Sequence, residues 1–223
     1  MEVEDVFIEA SLRKLVAAAL KGDAPGVGAS VSSGAKVDSP GQGGLTPLLF
    51  ALMKRNVRAM DILLAAGADP NLKVENGHSA LSLASGMEDP ALLKLLLSRG
   101  GDPKTFVGQR PATFVALGQG RLANVKALVS AGADINAKSP DGDTMALEAA
   151  YANEFDAVRQ LLEAGADHTL TGSNGASVAW VTQRAVVPQG SAVARDRDAV
   201  IAILKKQGVV FPVSRPSPPV ADS

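Results

Sequence analysis

Apolar residues recur along this chain in paired short blocks, and each pair is followed by a polar turn that contains glycine. In the second block of each pair they fall at i, i+3, i+6 and i+7. Examples are Val57, Met60, Leu63 and Leu64, then Leu122, Val125, Leu128 and Val129, then Phe155, Val158, Leu161 and Leu162. That spacing predicts one buried stripe on a helix about three turns long. The first block opens on Thr46, Ser79, Thr144 or Ser177, hydroxyl residues suited to cap a helix N-terminus by accepting from a backbone N–H. Pro47 sits at a first helical position, where its missing N–H would be unpaired anyway. The small Ala51, Ala84, Ala116 and Ala149 let this helix approach its neighbours closely.

The helix pairs repeat. Leu63-Leu64-Ala65-Ala66-Gly67-Ala68-Asp69-Pro70-Asn71 returns as Leu96-Leu97-Ser98-Arg99-Gly100-Gly101-Asp102-Pro103-Lys104. It returns again as Leu128-Val129-Ser130-Ala131-Gly132-Ala133-Asp134-Ile135-Asn136 and as Leu161-Leu162-Glu163-Ala164-Gly165-Ala166-Asp167. A degraded copy is Gly34-Ala35-Lys36-Val37-Asp38. The glycines at 34, 67, 100, 132 and 165 lie 33, 33, 32 and 33 residues apart, and a sixth copy ends late, at Gly208. A fixed period of this length is the signature of a stacked repeat array. The glycine can take the left-handed conformation that ends a helix, and Asp-x-Asn supplies turn chemistry for a projecting loop.

The pattern Gly-x-Thr-Pro-Leu…Ala…Leu-Leu…Gly-Ala-Asp-x-Asn is similar to the ankyrin repeat across roughly residues 11 to 211. The resemblance implies an all-α solenoid of about six helix-turn-helix repeats with short hairpin-like loops. Repeats are expected near 11–43, 44–76, 77–108, 109–141, 142–174 and 175–211, within a single domain over 1–213. A Pro-rich tail, 214–223, is expected to be extended or disordered. The family's histidine after Thr-Pro-Leu is replaced here by Leu49, Ser82, Phe114, Leu147 and Trp180, so its hydrogen bonds must be lost or replaced by packing. Trp180 has two open readings, core filler or surface residue. The ends look like caps: the first copy carries Ser30 at an apolar slot, and the last contains an insertion, 186–193, between its helices.

Composition narrows the chemistry. With 46% apolar but only 4% aromatic residues, core volume must come from many small aliphatic contacts. A formal net charge of −1 and no basic run argue against a nucleic-acid footprint. The absence of cysteine excludes disulfides, thiolate metal sites and cysteine nucleophiles. The greasiest run, 92–97, is far shorter than the roughly 20 residues of a membrane span, and the acidic start lacks the basic region of a signal peptide. The two histidines, His78 and His168, fall in turns and read as solvent-exposed rather than as ligands or bases. Gly175-Ala176-Ser177-Val178-Ala179 is one residue short of a nucleophile elbow, and Ser177 already fills a capping slot. Asp134-Ile135-Asn136-Ala137-Lys138 begins like a calcium loop, but Lys138 stands where an oxygen ligand is needed. Neither catalysis, nor a metal, nor a cofactor is expected.

The resemblance implies that turn tips and the exposed side of each first helix line a concave binding face. The tip positions are Gln42, Leu45, Lys73, Glu75, Asn76, His78, Phe106, Gln109, Arg110, Lys138, Asp141, Asp143, Ser173 and Asn174. The helix positions are Met53, Lys54, Met87, Gln119, Tyr151 and Arg184. Leu45, Met53, Phe106 and Tyr151 would form an apolar strip rimmed by charge, the anatomy of an interface centre. Gly44–Ala51, the interrupted last repeat and the ending Gly208-Val209-Val210-Phe211-Pro212 resemble bacterial ankyrin immunity proteins. Members of that group bind and block a secreted antibacterial effector, often a phospholipase of type VI secretion. The resemblance implies a periplasmic site of action, with the cytoplasm as the alternative. The competing reading is a scaffold or host-directed ankyrin protein that binds without inhibiting.

Overall fold

The computed structural model describes residues 1–75 and 77–214. It is built of helices and divides into two compact units, Met1–Gly132 and Ala133–Ser223. The tail residues 215–223 lie outside the described residues.

Unit 1 contains α1 (Val3–Val6), α2 (Ala10–Lys21), α3 (Ala24–Ser32), α4 (Pro47–Met53), α5 (Val57–Ala65), α6 (Ala80–Ser85), α7 (Pro90–Ser98), α8 (Ala112–Gly118) and α9 (Leu122–Ser130). The hydroxyls act as the sequence predicts: Leu49 N–H donates to Thr46 Oγ1 at 3.2 Å and Ser82 N–H to Ser79 Oγ at 3.1 Å. Ser82, at a missing-histidine position, returns the favour by accepting from Ser79 N–H at 2.8 Å, so a reciprocal box pairs two donors that the helix end leaves free. At two other such positions, Leu49 and Phe114 are simply buried.

Helix α5 shows how a repeat closes. Gly67, at φ +96°, donates to Leu64 O at 3.1 Å, and Ala68 N–H reaches back to Leu63 O at 3.0 Å. This pairs carbonyls that would otherwise be orphaned, in a left-handed conformation that favours glycine. The buried side chains are Ala59, Met60, Leu63 and Leu64, whereas Val57 is exposed at the helix start. The stripe expected from Val57 is therefore shifted inward, because the helix packs against neighbours on both sides (α2 and α7). In α9 the same shift leaves Leu122 and Val129 half-buried and puts Asn124 in the core. Asn124 Nδ2 donates to Ser85 O at 2.9 Å and Met87 O at 2.8 Å, pairing carbonyls at the end of α6.

The Asp-x-Asn turns bind consecutive repeats. Asp69 accepts from Asn71 N–H at 2.8 Å, closing its own turn. Asn71 Oδ1 then accepts from Asp102 N–H in the next repeat at 2.8 Å, while Asn71 Nδ2 donates to Gly100 O at 2.9 Å. One repeat earlier, Asp38 takes the same place and accepts from Asp69 N–H through both oxygens at 3.2 Å. Each rung replaces water on a backbone donor, a net gain of about 1 kcal/mol.

The region before residue 11 lies outside the repeats predicted from the sequence, yet it contributes to the core. Phe7 is wholly buried, its ring edge-on to Phe50 with centroids 5.5 Å apart, and Val6 is buried beside it. At Gly41 a Cβ would fall 2.5 Å from Val6 O, so this segment needs glycine below it.

Unit 2 contains α10 (Met145–Tyr151), α11 (Phe155–Glu163), α12 (Val178–Arg184) and α13 (Ala192–Lys206). Thr144 and Ser177 cap α10 and α12 through Leu147 N–H and Trp180 N–H, each at 3.3 Å. Leu147, at another missing-histidine position, is buried, and α11 buries Phe155, Val158, Leu161 and Leu162, the full stripe read from the sequence. Asn136 Oδ1 accepts from Asp167 N–H at 2.9 Å, the same rung as in unit 1. The insertion is shorter than expected: Ala192 and Val193 already belong to α13, which Ser191 caps at 3.1 Å. Past α13, the Gln183 carboxamide pairs with both backbone groups of Val213, donating to its O at 2.6 Å and accepting from its N–H at 2.8 Å.

Candidate functional site

In unit 1 the tips are short loops, and among the described residues one of them forms a two-stranded ladder. There β1 (Phe106–Val107) and β2 (Arg110–Pro111) pair antiparallel, with Phe106 opposite Pro111. This ladder holds Phe106 at 47% exposure. Gln109 and Arg110 are exposed beside it, the Arg110 guanidinium 5.7 Å from the Phe114 ring centroid. At the preceding tip Lys73 and Glu75 are exposed and His78 is half-buried, its carbonyl accepting from Val74 N–H at 2.9 Å. Asn76 lies outside the described residues. Gln42 is exposed in a short 3-10 turn, Gln42–Gly44. An open recess of about 310 Å³ separates these first two tips, lined by Asp38, Thr46, Leu72 and Lys73 among others.

Leu45 is half-buried rather than exposed, whereas Met53 at the end of α4, Leu83 of α6 and Phe106 are exposed apolar side chains. The sequence gives no sign that Leu83 is exposed, because its slot holds Phe50 and Val115 in the flanking copies and reads as core. Met87 is half-buried and Gln119 exposed. Lys54 is exposed but engaged within the chain: Nζ donates to Met1 O at 2.8 Å and lies 5.5 Å from the Phe50 ring centroid. The N-terminal segment therefore uses part of the surface that the repeat pattern assigned to a partner.

In unit 2 the tips are tied together. Lys138 Nζ donates to Thr171 O at 3.0 Å, and single bridges join Lys138 to Thr144 and Thr171 to Ser177. Asn174, at a tip, donates through Nδ2 to the Tyr151 hydroxyl at 2.9 Å, while its Oδ1 accepts from Ala176 N–H at 2.9 Å. Tyr151 ends α10 and is 42% exposed, so a rigid ring stands at the surface with its polar tip already paired. Asp141 and Ser173 are exposed, and Asp143 is half-buried. Burial raises the Asp143 carboxyl above the ordinary range, and Asp141 adds to this, while Lys138 and the Ser173 N–H pull it down. A Cβ at Gly172 would fall 2.0 Å from Asp143 Oδ1, so a side chain there would displace that carboxylate. Arg184 is exposed with its guanidinium 5.1 Å from the ring centroid of Trp180, which is half-buried and so divides its surface between core and solvent.

His168, like His78, is half-buried rather than solvent-exposed, each held in a tight turn. Among the described residues no group of three or more His, Asp or Glu side chains is placed to hold a metal ion. Among them, too, no helix is long and apolar enough to cross a membrane. What these surfaces offer is apolar and aromatic contact area edged by hydrogen-bonding groups held on rigid turns.

A family model for ankyrin repeats in three copies matches residues 15–107 and again 87–172. A putative ankyrin repeat-containing protein of Treponema pallidum is 43% identical over 56 residues, 25% of this chain and 19% of that protein. Protein PhlB of Serratia liquefaciens is 30% identical over 133 residues, 58% of each chain. The chain thus spans less than two thirds of each of these relatives. Among solved structures, an ankyrin repeat domain from Acinetobacter baumannii superposes with a TM-score of 0.67 at 25% identity, covering 85% of this chain and 96% of that one.

Proposed function

The chain belongs to the ankyrin repeat family, and from that premise we propose that it is a non-catalytic immunity protein that binds and inhibits a secreted antibacterial effector of lipase type. Ankyrin repeats make the chain a protein–protein interaction module. Residues 1–213 act in this role as one ankyrin-repeat domain. Its binding residues are the tip and helix positions around Met53, Phe106 and Tyr151, with the charged and amide side chains of the tips as rim.

The observation that carries the reading is the locking of Tyr151 by Asn174. An exposed aromatic ring fixed before binding loses little conformational freedom on association, and such rings supply a large share of interface energy. A rigid inhibitor of an active-site mouth needs a surface of this kind. The likeness to bacterial proteins of Treponema, Serratia and Acinetobacter supports a bacterial setting. The interruption of the last repeat before α13 supports a stack adapted to one partner rather than a uniform array.

The test is a pull-down with the product of the neighbouring gene, followed by an activity assay of that product. Stoichiometric binding with loss of lipase activity is expected. Binding with activity intact would replace inhibition by scaffolding, and absence of binding would remove this partner.

A further inference from the structure

In unit 1, helices α7 and α9 run next to each other and leave a trough between them. Its volume is about 480 Å³, and its lining is Lys94 and Leu97 from α7 with Ala123, Lys126, Ala127, Ser130 and Ala131 from α9 and its end. None of these residues belongs to a turn tip or to the helix positions of the candidate binding face.

The charge on this trough has one sign. Neither α7, Pro-Ala-Leu-Leu-Lys-Leu-Leu-Leu-Ser, nor α9, Leu-Ala-Asn-Val-Lys-Ala-Leu-Val-Ser, contains an acid. Lys94 and Lys126 occupy equivalent positions in successive repeats, one on each wall, and both are exposed. Neither makes a hydrogen bond or ion pair with any described residue. The acid at the equivalent position one repeat earlier, Asp61, is committed to Arg99 at 2.5 Å. Between the two ammonium groups the floor is short and apolar: Leu97 is half-buried, and Ala123 and Ala127 lie one helical turn apart.

We propose that the α7–α9 trough is a second docking surface, which takes an acidic amphipathic helix from a protein partner. Two adjacent helices with alanines facing outward offer the groove that the ridge of a third helix fills. Small floor residues let the incoming backbone come close, so its leucine-sized side chains cover Leu97. Carboxylates on the flanks of that helix meet Lys94 on one wall and Lys126 on the other. The charge pair fixes orientation and speeds encounter, while the apolar floor supplies the burial. The proposal does not depend on the immunity reading, because it uses different residues.

The test uses the full chain and two labelled synthetic peptides of about 18 residues, long enough to form a helix. Both carry a Leu/Ala face, flanked by Glu in one and by Lys in the other, and binding is read by fluorescence anisotropy. The Glu peptide is expected to bind, the Lys peptide not. The double variant K94E/K126E is expected to weaken the Glu peptide by about tenfold or more and to admit the Lys peptide. Ala123→Glu, at an exposed position, is expected to block both. Circular dichroism checks that each variant keeps its helices, and the loss of Glu-peptide affinity with added salt gives a readout independent of the variants. Failure of the Glu peptide to bind, or binding unchanged in K94E/K126E, overturns the proposal. So does preferential binding to vesicles of phosphatidylglycerol over the Glu peptide, which would make the trough a membrane contact.

Discussion

The Tyr151 hydroxyl and the Asn174 carboxamide, 23 residues apart in sequence, lie 2.9 Å from each other and join the end of α10 to the following tip. The pair positions an exposed ring without burying it. Tyr151→Phe keeps the ring and removes the tie, and partner affinity is expected to fall a few-fold. Tyr151→Ala is expected to cost about 2 kcal/mol of binding, the scale of an aromatic hot spot, with an unchanged thermal midpoint. Titration calorimetry with the partner, alongside thermal unfolding, checks both.

Asn71 is expected to matter for stability rather than binding, because both ends of its carboxamide are used between repeats. Asn71→Ala removes an acceptor and a donor together and is expected to cost about 1–3 kcal/mol. Urea unfolding measures it, and a loss near zero would show that water substitutes fully at this turn.

Asp38 occupies the rung position that Asn71 and Asn136 fill elsewhere. Burial raises its carboxyl above the ordinary range; the Asp69 N–H lowers it, and the Asp69 charge adds a smaller upward push. A carboxyl raised in the folded state binds more proton there than in the unfolded chain. Its presence therefore favours folding below the ordinary carboxylate value, and that contribution is lost as pH climbs through the raised value. At neutral pH the charge works against the fold. Asp38→Asn keeps the acceptor and drops the charge, so it is expected to gain about 0.5 kcal/mol at pH 7, the lower end for a repeat-consensus replacement. The gain should shrink in acid. Thermal midpoints across a pH series test the sign.

Phe7→Ala is expected to destabilise unit 1 by about 3–5 kcal/mol, since it empties a fully enclosed ring site against Phe50. Chemical denaturation followed by circular dichroism reads the loss. An effect below about 1 kcal/mol would mean the first repeat closes over the gap.

The sequence by itself determined the repeat. Hydroxyl caps, terminal glycines and Asp-x-Asn turns act within a few residues of their own position, so Thr46, Gly67 and Asp69 do in the structure what their spacing predicts. The exposure of a tip residue such as Phe106 is legible for the same reason, because its position in a turn is set locally. Only the tertiary structure decided what depends on a neighbouring repeat. Leu83 becomes exposed and Val57 leaves the buried stripe according to which helix packs alongside. Asn71 reaches a donor 31 residues ahead, and Lys54 spends its charge on the carbonyl of Met1, 53 residues behind. Neither partner has a local pattern to announce it, because each contact is set by the stacking of elements and not by the spacing along one of them.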